Sequence, residues 1–162
     1  MVEIYNNVFI GDENDYECNV KYNETFNVIQ ACKEPYHRKA IGYKGRACDS
    51  QNPEYLFAIR DNRLILNLID GKNHEYVSKI IIDKAIRYIN ESLNSGKKVL
   101  IHCNKGESRS ASIGLLFLAH KGVFKGDRFD IAERKYKEIY PKYSPSEGIN
   151  KFCYINWEKY NR

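Results

Sequence analysis

The run Val99–Cys103, VLIHC, is apolar at successive positions, so a strand built from it shows hydrophobic side chains on both faces. Such a strand needs cover on both sides, which places it inside a mostly parallel sheet flanked by helices. SASIGLLFLAHKG follows, apolar nearly all round, and reads as a buried helix ending at Gly122. Between the two lies a short charged loop, NKGES, with Arg109 opening the helix. Whatever that loop carries is held rigidly at both ends.

The rest of the chain fits the same class. NVFIGD, TFNVIQA, YLFAI and RLILNLID are short runs rich in β-branched and aromatic residues, and they read as strands. From Glu75 to Leu93 the apolar positions recur at spacings of three and four, predicting a helix that NSGKK terminates. Further helices are expected from Phe129 to Tyr140 and from Ser146 to about Tyr160, separated by PKYSP. The fold class is therefore α/β, with a central, mostly parallel sheet of four to five strands between helices. No repeat or long linker divides the 162 residues, which suit one domain over residues 1–162. Ligands of such sheets bind beyond the C-terminal ends of the strands, and Cys103 lies at that edge.

Composition narrows the functional classes. No apolar run reaches the ~18 residues of a membrane helix. MVEIYNNVFIGDEND has neither the basic nor the apolar region of a secretory signal, so a cytoplasmic protein with no membrane partner is expected. The five cysteines (Cys18, Cys32, Cys48, Cys103 and Cys153) are odd in number and widely spaced, without a zinc-type cluster. No disulfide framework, metal or cofactor is expected. The net charge of +5 permits acidic partners, and its distribution says more. Lys33 to Arg46 holds five bases against Glu34 and reads as a loop, either a solvated surface or a positive rim for an anionic substrate.

A loop joining a buried strand to a helix can converge its N–H groups on an anion, and the helix adds its own unsatisfied N–H groups and positive end. Gly106 allows a positive φ or a close approach. Arg109 supplies a planar fork for two oxygens of a phosphate or sulfate. The same field favours the thiolate of Cys103, since helix N-termini and cations lower thiol pKa values from about 8.5 to roughly 3.5–7.5. A thiolate beside an oxyanion cradle implies covalent catalysis on a phosphoester. Ser110 can hydrogen-bond the sulfur as it leaves, while His102 sets the loop from behind. Asn104, Lys105, Glu107 and Ser108 complete the phosphate-binding loop.

These residues resemble the signature of the cysteine-dependent protein tyrosine phosphatases: His-Cys, five residues, Arg, then Ser or Thr. His102, Cys103, Gly106, Arg109 and Ser110 match it, and the ending Ser-Arg-Ser is similar to the dual-specificity branch. The resemblance implies a phosphatase-like fold, Cys103 as nucleophile and Arg109 as phosphate clamp. It also implies an aspartate general acid about thirty residues before the cysteine, on a loop after the preceding strand. Asp70, followed by Gly71, sits there; Asp61 is at the wrong end of that strand, and Asp83 falls within a helix. In the family an Asn-x-Gly element buttresses the phosphate loop. Here Ser146 stands for the asparagine and Gly148 is retained, so Ser146 either makes a shorter hydrogen bond or caps the last helix.

The resemblance implies a metal-independent phosphatase acting through a phosphocysteine, with phosphoprotein as the default substrate and no cofactor. A phosphorylated nucleotide or RNA 5′ end is the alternative that the basic loop raises. Glu107 beside Lys105 argues against polyphosphoinositides. VIQACKEPYHRKAIGYKGR resembles a segment of bacterial and phage members of the family. Folded over the site, it would set specificity through His37, Arg38, Lys39 and Arg46. Two other classes stay open at this point: a rhodanese-like sulfurtransferase, and a non-catalytic module that binds phosphorylated partners.

Overall fold

The computed structural model describes residues 1–162. Six strands form one sheet: β1 (Val2–Tyr5), β2 (Val8–Gly11), β3 (Phe26–Gln30), β4 (Phe57–Arg60), β5 (Arg63–Leu66) and β6 (Lys98–His102), in the order β1-β2-β6-β3-β5-β4. The four inner strands run parallel, and β1 and β4 close the edges antiparallel. VLIHC thus occupies an interior position, between β2 and β3.

The sheet exceeds the expected four to five strands by β1. Its residues VEIY bury only Ile4, so they lack the apolar signal that marked the other five. The basic stretch also departs from a plain loop. Lys33–His37 forms a wide π-type turn that runs into a short helix, α2 (Arg38–Ile41). An ion pair from Arg38 to Glu34 spans one turn there, and Gly42 ends the helix at φ +89°.

Leu100 and His102 share one face of β6, whereas Val99 and Ile101 share the other. The π-type turn Tyr16–Val20, which continues the three-residue α1 (Glu13–Asp15), covers the His102 face: Tyr16 stacks on the imidazole at 4.9 Å. Two long helices, α3 (Lys79–Asn94) and α4 (Arg109–His120), pack against β6. Outside α4 lie α6 (Glu147–Tyr160) and, against it, α5 (Phe129–Ile139). The predicted helix from Glu75 begins instead at Lys79, preceded by a 3-10 turn at His74–Tyr76. One contiguous apolar core runs through both layers.

Gly114 marks where α4 lies closest to the sheet. A Cβ there would stand 2.8 Å from both Ile10 Cδ1 and Tyr136 Oη, and 2.9 Å from Ile4 Cδ1. Tyr136 is fully buried and donates to the Ala111 carbonyl, so it has little freedom to move. Gly114→Ala should therefore cost about 1–3 kcal/mol through overpacking, despite alanine's better helix propensity. Urea unfolding measures this; a variant as stable as the parent would show that α4 can shift outward.

Candidate active site

Parallel pairing brings the ends of three strands level. Gly11 of β2 and Gln30 of β3 both register with His102 of β6, and Ala31 N–H donates to the His102 carbonyl at 2.8 Å. The chain leaves this edge as the loop Cys103–Ser108 and re-enters order as α4 at Arg109. Gly106, at φ +72°, lies so close to β2 that a Cβ would stand 2.9 Å from the Gly11 carbonyl oxygen. Tyr140 Oη donates to the Gly106 carbonyl at 2.7 Å, and Ser144 N–H to the Glu107 carbonyl at 2.8 Å, fixing the loop's outer side.

The structure brings Cys103, Arg109, Ser110 and Asp70 together. Cys103 is 2% exposed, and its Sγ lies 3.1 Å from Ser110 Oγ. Arg109 Nη1 donates to the Leu68 carbonyl (3.1 Å), and Nη2 to Asn104 Oδ1 (2.6 Å). These two bonds orient the guanidinium plane. Arg109 Nε is buried with no hydrogen-bond partner, 3.9 Å from Asp70 Oδ2. An unpaired buried N–H on a cation is costly, and an anionic oxygen is the acceptor that would complete it.

Asp70 hangs on the segment after β5, held by a residue the sequence placed only in the loop. Ser108 Oγ donates to Asp70 Oδ1 at 2.8 Å and accepts from Ser146 N–H at 2.9 Å. Ser146 thus supports the loop through its backbone N–H and, at 3.5 Å, through its hydroxyl, which accepts from Ser108 Oγ; as N-cap of α6 it makes no side-chain cap bond. Cys103, Asp70, Arg109, Asn104, Lys105, Glu107 and Ser108 line one hollow of about 350 Å³. A thiol, a guanidinium and a carboxylic acid around one small hollow can perform nucleophilic displacement at phosphorus with protonation of the leaving group.

His102 is fully buried between Tyr16 and Tyr36. Its Nδ1 donates to the Cys103 carbonyl, and its Nε2 accepts from the Gln30 amide, each at 3.3 Å. Burial lowers its pKa to about 4. Cys32, one residue beyond Ala31, is buried too, and burial pushes its thiol up to about 12. All five cysteines are free thiols.

The candidate substrate contacts of the basic segment need correction. His37 is fully buried: its Nε2 donates to the Glu54 carbonyl at 2.9 Å, and Tyr43 Oη donates to its Nδ1 at 3.1 Å. Arg38 uses Nε and Nη2 on Glu34 and Nη1 on the Tyr43 and Gly45 carbonyls. His37 is thus closed off from a substrate, whereas Arg38 keeps a partly exposed side chain whose donors are engaged within the segment; both brace it. Lys39 and Arg46 are exposed, and neither lines the hollow. Charge counting missed this because Lys33, His37 and Arg38 spend their donors on backbone carbonyls and on Glu34, while Lys39, Lys44 and Arg46 stay exposed.

Residues 8–144 match the family model described as dual specificity phosphatase, catalytic domain. The chain belongs to that family. It is 30% identical to human dual specificity protein phosphatase 9 over 122 residues, or 63% of this chain and 32% of that protein. Mouse dual specificity protein phosphatase 2 is 39% identical over 62 residues, 38% of this chain and 20% of the relative. The chain thus spans about a third or less of these curated relatives. Among solved structures, the human tyrosine phosphatase-like serine/threonine/tyrosine-interacting protein superposes at TM-score 0.67 with 20% identity, covering 99% of this chain and 97% of that one. A leucine rich repeat and phosphatase domain containing protein from Entamoeba histolytica gives 0.64 at 20% identity, covering 99% and 94%. These structures share the fold.

The His102 environment generates a pH prediction. A histidine whose folded pKa is depressed stabilises the fold above its unfolded pKa of about 6.5, and that stability is lost as pH falls toward the folded value. Unfolding free energy should therefore drop between pH 6.5 and about 4, with His102 contributing on the order of 3 kcal/mol. His37, also lowered by burial, adds in the same direction. His102→Asn should flatten the dependence in denaturant titrations; an unchanged slope would exclude His102 as its source.

Proposed function

We propose that residues 1–162 form one dual-specificity phosphatase-like catalytic domain that hydrolyses phosphomonoesters on phosphoproteins through a phosphocysteine intermediate. One observation carries the reading: the buried, unpartnered Nε of Arg109 and the Cys103 thiol belong to the same strand-to-helix loop, with the Asp70 carboxyl on the same hollow. Family membership supports it.

In the first step Cys103 Sγ attacks phosphorus. The S–P bond forms as the P–O bond to the leaving group breaks, and Asp70 donates its proton to the departing oxygen. Arg109 and the loop N–H groups bind the equatorial oxygens as charge develops. In the second step Asp70 takes a proton from water, which attacks phosphorus, and the thiolate leaves with Ser110 Oγ donating to it. Phosphate is released, and atoms and charge balance without a redox partner. His102 holds the loop and takes no proton. No helix of the chain is long and apolar enough to cross a membrane. The free cysteines suit the reducing cytoplasm, the location we infer.

Hydrolysis of p-nitrophenyl phosphate with chelator present tests this reading. Cys103→Ser should abolish turnover, and retained turnover would remove the thiol from the mechanism. Asp70→Asn should slow poor leaving groups such as alkyl phosphates by roughly a hundredfold or more, and p-nitrophenyl phosphate much less. Equal slowing would assign Asp70 a structural role. Thiosulfate-to-cyanide sulfur transfer in place of phosphate release would indicate a sulfurtransferase.

A further inference from the structure

Beside the phosphate hollow lies a second one of different chemistry. It measures about 370 Å³ and is walled chiefly by Cys48, Tyr55, Leu56, Ile69, Tyr76 and Ile81. The two hollows share one strip of backbone, for Ile69 lines the second and Asp70 the first. The Leu68 carbonyl ties that strip to both sides, accepting from Arg109 Nη1 at 3.1 Å and from Lys33 N–H at 3.0 Å. Two of its large apolar lining residues stand open to solvent: Ile69 is 39% exposed and Tyr76 66%. An exposed apolar group gathered at one place marks a contact surface rather than chance exposure.

The far wall is preformed. Asn67 Nδ2 holds the Tyr55 carbonyl at 2.8 Å, Lys33 Nζ the Arg46 carbonyl at 2.6 Å, and His37 Nε2 the Glu54 carbonyl. Arg60 adds paired bonds to the Glu54 carboxylate and one to the Ala40 carbonyl. Lys33 and His37 of the basic segment, with Asn67 and Arg60, therefore brace this wall.

We propose that this hollow is a specificity subsite, which receives a large apolar side chain immediately flanking the phosphorylated residue of a protein substrate. The proposal rests on the phosphoprotein reading and names its sequence preference. In an extended peptide, neighbouring residues lie about 3.8 Å apart at Cα, with side chains to opposite sides. A peptide straddling the Ile69–Asp70 strip edge-on would send the phosphorylated side chain into the hollow on one side and its immediate neighbour into the hollow on the other. The volume falls near the lower end of the ~300–1,000 Å³ range of small-ligand pockets, suited to a side chain rather than a domain. An RNA 5′ end fits less well, because Lys33, the cation on this lining, already serves the Arg46 carbonyl, Glu75 adds a carboxylate, and apart from Asn67 and Ser78 the remaining walls are apolar.

The test compares peptides carrying phosphotyrosine or phosphothreonine that differ only in having leucine or glycine on either side. The leucine-flanked peptides should be hydrolysed with kcat/KM at least about tenfold higher, the size expected from burying one large aliphatic side chain. Ala47 is exposed and lines the hollow, so Ala47→Trp should fill it without disturbing the core and bring that ratio close to one. Equal hydrolysis of both peptides, or a preference that survives Ala47→Trp, overturns the subsite and leaves the phosphatase reading standing. Wild-type turnover of p-nitrophenyl phosphate with no turnover of any peptide, or faster release from 5′-phosphorylated RNA, overturns the phosphoprotein reading and the subsite with it. A wild-type protein inert toward p-nitrophenyl phosphate also fails the phosphatase reading itself.

Discussion

Everything at the candidate site depends on how β6 is paired. Hydrogen bonding on both sides fixes His102 level with Gly11 and Gln30, so Cys103 emerges at one defined height beside Cys32 and the Asp12–Glu13 turn. A slip of one residue would exchange the two faces of β6. His102 would then leave its stack on Tyr16, and the apolar side chains facing α3 and α4 would be displaced. The core therefore specifies the register, and the register specifies where the thiol stands. Catalytic geometry here is a consequence of hydrophobic packing one layer below.

On that base the loop carries an arrangement that the fold alone does not favour. The Arg109 guanidinium is steered by a side-chain amide and a backbone carbonyl, yet its Nε is buried without an acceptor. Ser108 ties the Asp70 carboxylate to the loop, which keeps the acid at the rim but 3.9 Å from that Nε, beyond hydrogen-bonding distance. At that separation the two form an ion pair without a hydrogen bond, whereas a closer pair would satisfy the Nε donor. In the proposed mechanism the open Nε donor is what an incoming anion would take, and orientation in advance is what would lower the cost of stabilising charge at the transition state.

Much of this architecture was readable from residue order. A continuous apolar run and four short runs rich in β-branched and aromatic residues announced five of the six strands, three-four periodicity announced α3, and an all-round apolar run announced α4, because burial leaves a pattern in sequence. The loop residues Cys103 to Ser110 were legible for a similar reason: they are contiguous, so their spacing carries their geometry. Contacts between segments far apart in the chain were not. Nothing in the spacing of Ser108, Asp70 and Ser146 announces that one hydroxyl serves the other two, and Tyr140 reaches the Gly106 carbonyl from beyond α5. Val2–Tyr5 was invisible because an edge strand with one buried side chain has little apolar pattern to show.

The basic segment shows most clearly where sequence reading stops. Five cations in fourteen positions suggest an electrostatic surface, but charge acts on a partner only when it is not already engaged within the chain. Arg38 spends its fork on a carboxylate and two carbonyls, Lys33 spends its ammonium on a third, and His37 is buried as a neutral ring. Apart from the Arg38–Glu34 pair, these bonds satisfy backbone carbonyls in an irregular stretch. Their combined effect is mechanical, since they hold Cys48, Tyr55 and Leu56 as one wall of an apolar hollow next to the phosphate cradle. Part of a segment whose composition suggests attraction to anions thus acts by shape: its engaged donors position the neighbouring Cys48, Tyr55 and Leu56, which under the proposed subsite are what a substrate would meet.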